Sequence, residues 1–366
     1  MAFSKSNRKG TISGIIFVAL VAASATYIAA LAPIKSLGLS ALVVGIVIGI
    51  FYANTLHNHF PKEWEGGIVF SGKKILRFAI VFYGFRITFQ QIAEVGIEGF
   101  LVSLIMLSST FILGTWIGNK IFKMDLDTSM LTASGASVCG AAAVLATEPV
   151  LKAEGHKTAI AVSMVVLFGT VSMFLYPVMY QAIIEPSSGF LHLSPEQFGI
   201  YVGGTIHEVA QVVAVPFSIP NAPIDMANSA VIVKMTRVIM IAPMLIVLGL
   251  YLSFQAKKSG SVAGGVSLVI PWFAVYFIGM AGVNSLIEMY VNGGGAAIAQ
   301  TVHGAIATIN EIDTFLLTMA MTALGMGTRF AKFKGLGMAP LYTGAVMFAW
   351  LVIGGFVVTK LVTTFL

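Results

Sequence analysis

Charge is scarce in this sequence: Asp, Glu, Lys and Arg make up 10% of its 366 residues, against about 25% in an average soluble chain. On a chain that is 57% hydrophobic, so little charge excludes a soluble globular protein. Cysteine occurs once, as Cys139, which excludes an internal disulfide. No glycine-rich loop ends in Lys-Ser or Lys-Thr, which argues against transport driven by ATP hydrolysis in this chain. His207-Glu208-x-x-Gln211 lacks the second histidine of the His-Glu-x-x-His metalloprotease motif. No metal or cofactor is expected. The net charge of +6 comes from Lys and Arg clustered between apolar segments. That pattern suits membrane orientation and speaks against a nucleic-acid partner.

What the sequence has in abundance is apolar runs, each about 20 residues long and able to cross roughly 30 Å of hydrocarbon as a helix. About eleven are present: 11–31, 38–56, 75–92, 100–122, 129–150, 159–183, 198–217, 227–254, 268–289, 315–330 and 341–362. They predict an all-α integral membrane protein. The first run follows Lys5, Arg8 and Lys9 and ends in Ala-Leu-Ala, as a signal peptide would. It is longer than a typical signal-peptide apolar region, and Pro33 would follow the cut, so it is read as an extra N-terminal helix behind a short N-terminus, residues 1–10.

The positive-inside rule puts that N-terminus in the cytoplasm, with the clusters Lys62/Lys73/Lys74/Arg77, Lys120/Lys123, Lys257/Lys258 and Arg329/Lys332/Lys334. Loops with Glu94/Glu98 and with Glu288/Glu311/Asp313 fall outside. His303 and Asn310 are assigned to that second external connection, with Gly293 to Gly295. His57-Asn58-His59 reads as solvated surface. If every segment crossed, Lys152 and Lys157 would lie outside and the Lys-free loop with Glu185, His192 and Glu196 inside. Both loops comply if 129–150 and 198–217 are re-entrant or strongly broken, which is tolerated where protein or water satisfies the backbone.

Those two segments look like copies. Gly135-Ala-Ser137-Val-Cys139-Gly140 aligns with Gly203-Gly-Thr205-Ile-His207-Glu208 at an offset of 68 residues, and the alignment continues to Ala146 and Ala214. Pro177 matches Pro243 in the helices that follow. A weaker pairing sets 79–89 against 320–330. Paired, glycine-interrupted segments of opposite topology point to the binding site of a secondary transporter. The expected domain is therefore single, with repeat regions 38–183 and 197–362.

At such breaks, free N–H groups at half-helix ends attract anions. Ser137, Cys139 and Thr205, with the amides of Gly140 and Ile206, are the expected donors to a substrate oxygen. Packing of small residues is the competing reading. His207 and Glu208 are the expected coupling pair, because an imidazole titrates near neutrality and a buried carboxyl gains affinity for protons. A structural His-Glu pair is the alternative. Gln211 is a further candidate for the pocket, or a hydrogen bond between helices. Lys234 and Arg237, three apart on one helical face, need a counter-charge: Glu208, Glu148 or an anionic substrate. Arg86, near the end of its segment, is expected to snorkel.

The motifs Ser137-Val-Cys139-Gly140-Ala-Ala-Ala-Val and Thr205-Ile-His207-Glu208-Val-Ala-Gln211-Val-Val resemble the YeiH-like family of bacterial inner-membrane proteins, named as sulfate exporters. Leu167-Phe-Gly169-Thr, Tyr176-Pro177 and Val233-Lys234-Met-Thr-Arg237-Val resemble it too, and the likeness runs from about Leu39 to the C-terminus. Thr205 stands where the family pattern has Ser, which keeps a donor. Ala142 stands where a second hydroxyl is expected, which removes one. More distantly the family is similar to the bile acid/sodium symporters and cation/proton antiporters. That implies an inverted-repeat fold with a scaffold panel and a core holding two discontinuous helices.

Together these readings predict a secondary active transporter of a small anion, a sulfate- or sulfite-like oxyanion or small organic acid, in the bacterial inner membrane. Its partners would be the anion, a coupling H+ or Na+ and the lipid bilayer, with a homodimer left open. An anion channel, an intramembrane enzyme using His207 and Glu208, and a structural membrane subunit are the alternatives.

Overall fold

A computed structural model describes residues 7–32, 34, 40–258, 272–293, 296–333 and 337–366. Lys5, Pro33, residues 38–39 and 268–271, Gly294, Gly295 and Lys334 lie outside the described residues. Every regular element described is helical. In chain order these are α1 (Arg8–Ala30), α2 (Ala41–Phe51), α3 (Glu65–Phe70), α4 (Leu76–Tyr83), α5 (Phe89–Trp116), α6 (Leu126–Ser137), α7 (Ala141–Leu151) and α8 (Gly155–Met179). There follow α9 (Pro195–Thr205), α10 (Val209–Ala214), α11 (Ile224–Ile239), α12 (Ile241–Lys258), α13 (Trp272–Gly293), α14 (Ala296–Gly327), α15 (Met338–Ala349) and α16 (Gly355–Phe365).

Seven of the apolar runs become helices long and apolar enough to span a membrane: Arg8–Ala30, Ala41–His59, Phe89–Ile121, Gly155–Ile184, Ile224–Phe254, Trp272–Val291 and Met338–Phe365. The other four do not form single long apolar helices. Segment 75–92 is split between α4, a 3-10 turn at Gly84–Arg86 and the start of α5, segments 129–150 and 198–217 are broken, and 315–330 overlaps the far end of α14.

The chain divides into two compact units, one of residues 1–94, 217–222 and 272–331, the other of 95–216, 223–271 and 332–366. In the first unit small residues bring helices into close contact, as is common where no hydrophobic drive separates helix from lipid. A Cβ on Gly45 of α2 would stand 2.5 Å from Thr322 Oγ1 of α14, and one on Gly67 of α3 would lie 2.5 Å from the Ile15 nitrogen of α1.

The first unit also corrects three expectations. Asp313, Asn310, Glu311 and His303 do not lie in a loop; all are on the helix α14, which runs unbroken past them. Arg86 does not snorkel. Its Nη2 donates to Asn310 O (2.5 Å), Thr314 Oγ1 (2.8 Å) and Asp313 Oδ2 (3.3 Å), and the guanidinium lies over the Tyr83 ring. Asp313 is 1% exposed. Burial of each charge is sustained by the other. Nor is His57 wholly solvated: it is half-buried, with Nδ1 3.2 Å from Arg329 Nη2.

In the second unit, α6 and α7 form a hairpin of two antiparallel half-helices. Ser134 Oγ meets Thr147 Oγ1 at 2.6 Å, and a Cβ on Gly135 would stand 2.7 Å from Val144 Cγ2. Asp125 caps the entry to α6 by accepting the Thr128 N–H. Lys157, at the start of α8, pairs with Asp125 (3.0 Å) and Asp127 (2.9 Å). The same α8 later packs Val165 against Gly135, so α6 and α8 run parallel and α7 returns to the side where α6 began.

The chain then repeats the device. Ser194 and Gln197 form a capping box with Pro195 at the first turn of α9. Cβ atoms on Gly199 and Gly203 would meet the Met226 and Ala230 carbonyls of α11, so α9 and α11 are parallel and the intervening chain, α10 included, leads back. Tyr176 OH donates to Thr205 Oγ1 (3.0 Å), and the Tyr180 ring lies 4.4 Å from that of Phe198. Along these contacts α8 ascends while α9 descends. Being parallel to α6 and antiparallel to α9, α8 shows that the two hairpins enter from opposite ends.

Candidate functional site

Both hairpins break where the sequence places glycine and hydroxyl residues amid apolar ones. The α6 break passes through Val138 and Cys139 to Gly140, whose φ of 75° favours glycine. The α9 break passes through Ile206 and His207 to Glu208, which caps α10. Glu208 accepts the Gln211 N–H, and Gln211 Oε1 accepts the Glu208 N–H at 3.1 Å.

The two tips meet at one ammonium. Lys234 Nζ donates to Val138 O, Ile206 O and His207 O, each at 2.7 Å. A neutral amine has two N–H groups, so three carbonyls at this distance match the charged form, with three donors. One turn further along α11, Arg237 donates through Nε to Ser137 O (3.2 Å), through Nη1 to Gly203 O (3.3 Å), and through Nη2 to Ala136 O (3.3 Å) and Ser137 O. Both cations are fully buried.

The hydrogen bonds of Lys234 and Arg237 go to main-chain carbonyls at the C-terminal ends of α6 and α9, where the helix dipole is negative. The amides expected to face a substrate are also engaged: Gly140 N–H donates to Gly135 O and Ile206 N–H to Val202 O, both at 3.0 Å. Ser137 Oγ donates to Ser134 O (3.2 Å), while Thr205 Oγ1 donates to Tyr201 O and accepts from Tyr176.

The structure nonetheless brings every sequence-derived candidate to this junction. Ser137, Thr205, Ile206, Gln211, Lys234 and Arg237 are at most 1% exposed, His207 2% and Cys139 6%. Two side-chain atoms there, His207 Nδ1 and Gln211 Nε2, are buried without a hydrogen-bond partner. Among the described residues, no group of three or more His, Cys, Asp or Glu is placed to hold a metal.

Three participants escaped the sequence reading: the carbonyl of Val138, Tyr176 as partner of Thr205, and Gly169. A Cβ at Gly169 would collide with the Gln211 amide. At Gly140 and Gly169 the missing side chain leaves the room that Glu208 and Gln211 occupy.

A helical, multi-pass architecture with its polar groups gathered at two broken hairpins defines an integral membrane protein. The chain belongs to the family described as Conserved hypothetical protein 698, whose model matches residues 13–344. It is 45% identical over 352 residues to a UPF0324 membrane protein of Pseudomonas putida, covering 96% of this chain and 93% of that protein. It is 44% identical over 345 residues to the UPF0324 inner membrane protein YeiH of Escherichia coli, covering 94% and 92%. A UPF0324 membrane protein of Bacteroides thetaiotaomicron is 42% identical over 357 residues, covering 97% and 99%. No solved structure matches the chain. The resemblance to YeiH-like proteins thus holds over nearly the whole length, and the chain is a multi-pass inner-membrane protein.

Proposed function

We propose that the chain is a secondary active transporter of a small anion, an oxyanion or small organic acid, working by alternating access between inverted repeats. One observation carries this reading: two broken hairpins enter from opposite ends and meet tip to tip at Lys234. Discontinuous helices at the interface of inverted repeats are where such transporters bind substrate.

The pairing of positions 68 apart supports the repeat. Lys234 bonds Val138 O and Ile206 O, which are counterparts, at the same 2.7 Å. Gly135 packs on Val165 as Gly203 packs on Val233, again counterparts. Anion selectivity rests on charge. Carbonyls satisfy the hydrogen bonds of Lys234 and Arg237 without cancelling their charge, and the breaks contain one carboxylate, Glu208. A net positive field remains in a low-dielectric region, where charge acts strongly.

In this reading His207 Nδ1 and Gln211 Nε2 are freed toward the substrate when the tips part, with Ser137, Cys139 and Thr205 lining the path. Glu208 and His207 couple a proton or sodium gradient to the cycle. The N-terminus is cytoplasmic. Vesicles containing the purified protein are expected to move sulfate, sulfite, thiosulfate or a dicarboxylate under an imposed proton or sodium gradient. A protein that moves none of them contradicts the reading.

A further inference from the structure

Lys234 Nζ has the surroundings of a bound ion. Three main-chain oxygens, of Val138, Ile206 and His207, converge on it at 2.7 Å each, and its side chain is fully buried. Carbonyl oxygens converging at unwound membrane helices are the ligands that replace the hydration shell of a monovalent cation. The tip carbonyls also carry the negative end of the α6 and α9 dipoles. Potassium and ammonium ions keep much the same distance to a carbonyl oxygen as a lysine nitrogen does.

The internal repeat explains why a single side chain does this work. Val138 and Ile206 are counterparts, so an atom equidistant from both lies between the copies and only one copy has room to supply it. The counterpart of Lys234, 68 residues earlier, is Val166.

We propose that the three-carbonyl cage is a monovalent-cation site which the chain fills with its own tethered ammonium. Shortening Lys234 turns the junction into a site for a free potassium or ammonium ion, with water completing the shell. In the native protein the cage is closed to sodium as long as Lys234 holds it. The inference concerns the same junction as the transport reading, but its readout is ion binding, so each is tested apart from the other.

Purified Lys234→Ala and Lys234→Met are heated in choline chloride, then with choline replaced stepwise by potassium, ammonium or sodium at constant ionic strength. A ligand that binds only the folded state raises the unfolding temperature by mass action. Both variants are expected to unfold below the native protein in choline and to recover saturably with potassium or ammonium, while the native protein is indifferent to those two ions. Variants that respond to potassium and ammonium no more than the native protein overturn the proposal. If Lys234→Ala does not fold in choline, it is extracted and purified in potassium or ammonium. Recovery of folded protein there supports the cage, and a variant unfolded in every salt overturns it.

Discussion

Gly140 and Glu208 are counterparts in the two hairpins, 68 residues apart, and they touch: a Cβ on Gly140 would stand 2.5 Å from Glu208 Cγ. Lys234 Nζ likewise stands 2.7 Å from the carbonyls of Val138 and Ile206, another pair 68 residues apart. The centre is therefore electrostatically complementary to itself, with cations on helix C-termini and a carboxylate capping an N-terminus.

Gly140→Ala meets both the positive φ of 75° and the Glu208 side chain. It is expected to cost about 1–3 kcal/mol, the range for a residue held in a disfavoured backbone region. Removing the contact by Glu208→Ala should not rescue it, because the backbone term remains. Gly155→Ala, with no atom within 4 Å of its Cβ, should change stability by under about 0.5 kcal/mol. Chemical unfolding in detergent measures all three.

Arg237→Lys keeps the charge but not the fork that reaches Ser137, Ala136 and Gly203. A lysine at this position cannot serve all of these oxygens, and each buried acceptor left unpaired costs about 1–3 kcal/mol. The variant should unfold earlier than the native protein. An unchanged midpoint would show that these bonds do not hold the tips.

Asp313→Ala leaves the Arg86 guanidinium buried without its counter-charge and should cost about 3–5 kcal/mol. Arg86→Met combined with Asp313→Leu should cost less than the two single changes added, since no lone charge remains. A double-mutant cycle on unfolding free energy reads the coupling.

Asp125 gives a pH dependence. Burial raises its pKa, but hydrogen bonds from the Thr128 hydroxyl and N–H, with Lys157, more than offset this and hold the carboxyl below its ordinary range. A group depressed by folding stabilises the protein above its unfolded pKa, about 3.9, and that contribution disappears as pH falls through the lower folded value. Asp125→Asn should flatten the acid limb of a stability-against-pH curve. Because the carboxylate is half exposed, the effect should shrink further in high salt.

The breaks were legible because glycine, hydroxyl and ionisable residues stand out in apolar sequence, and the shared offset gave their pairing. The partners of Lys234 and Arg237 were not, since every residue owns a carbonyl and no side-chain pattern announces which one is left free. The Arg86–Asp313 pair was missed for a different reason. Glu311 and Asp313 lower local hydropathy, so the apolar run begins at 315 and the acidic residue falls outside it. Its partner lies 227 residues away, beyond the reach of any periodicity.

The opposed hairpins are tested most directly by single cysteines at Gly155 and Phe190 in a Cys139→Ala background, labelled from each side of sealed vesicles with a membrane-impermeant maleimide. Both positions are exposed. The account predicts labelling from opposite sides, with position 155 reached from the cytoplasm. Labelling of both from the same side would contradict it.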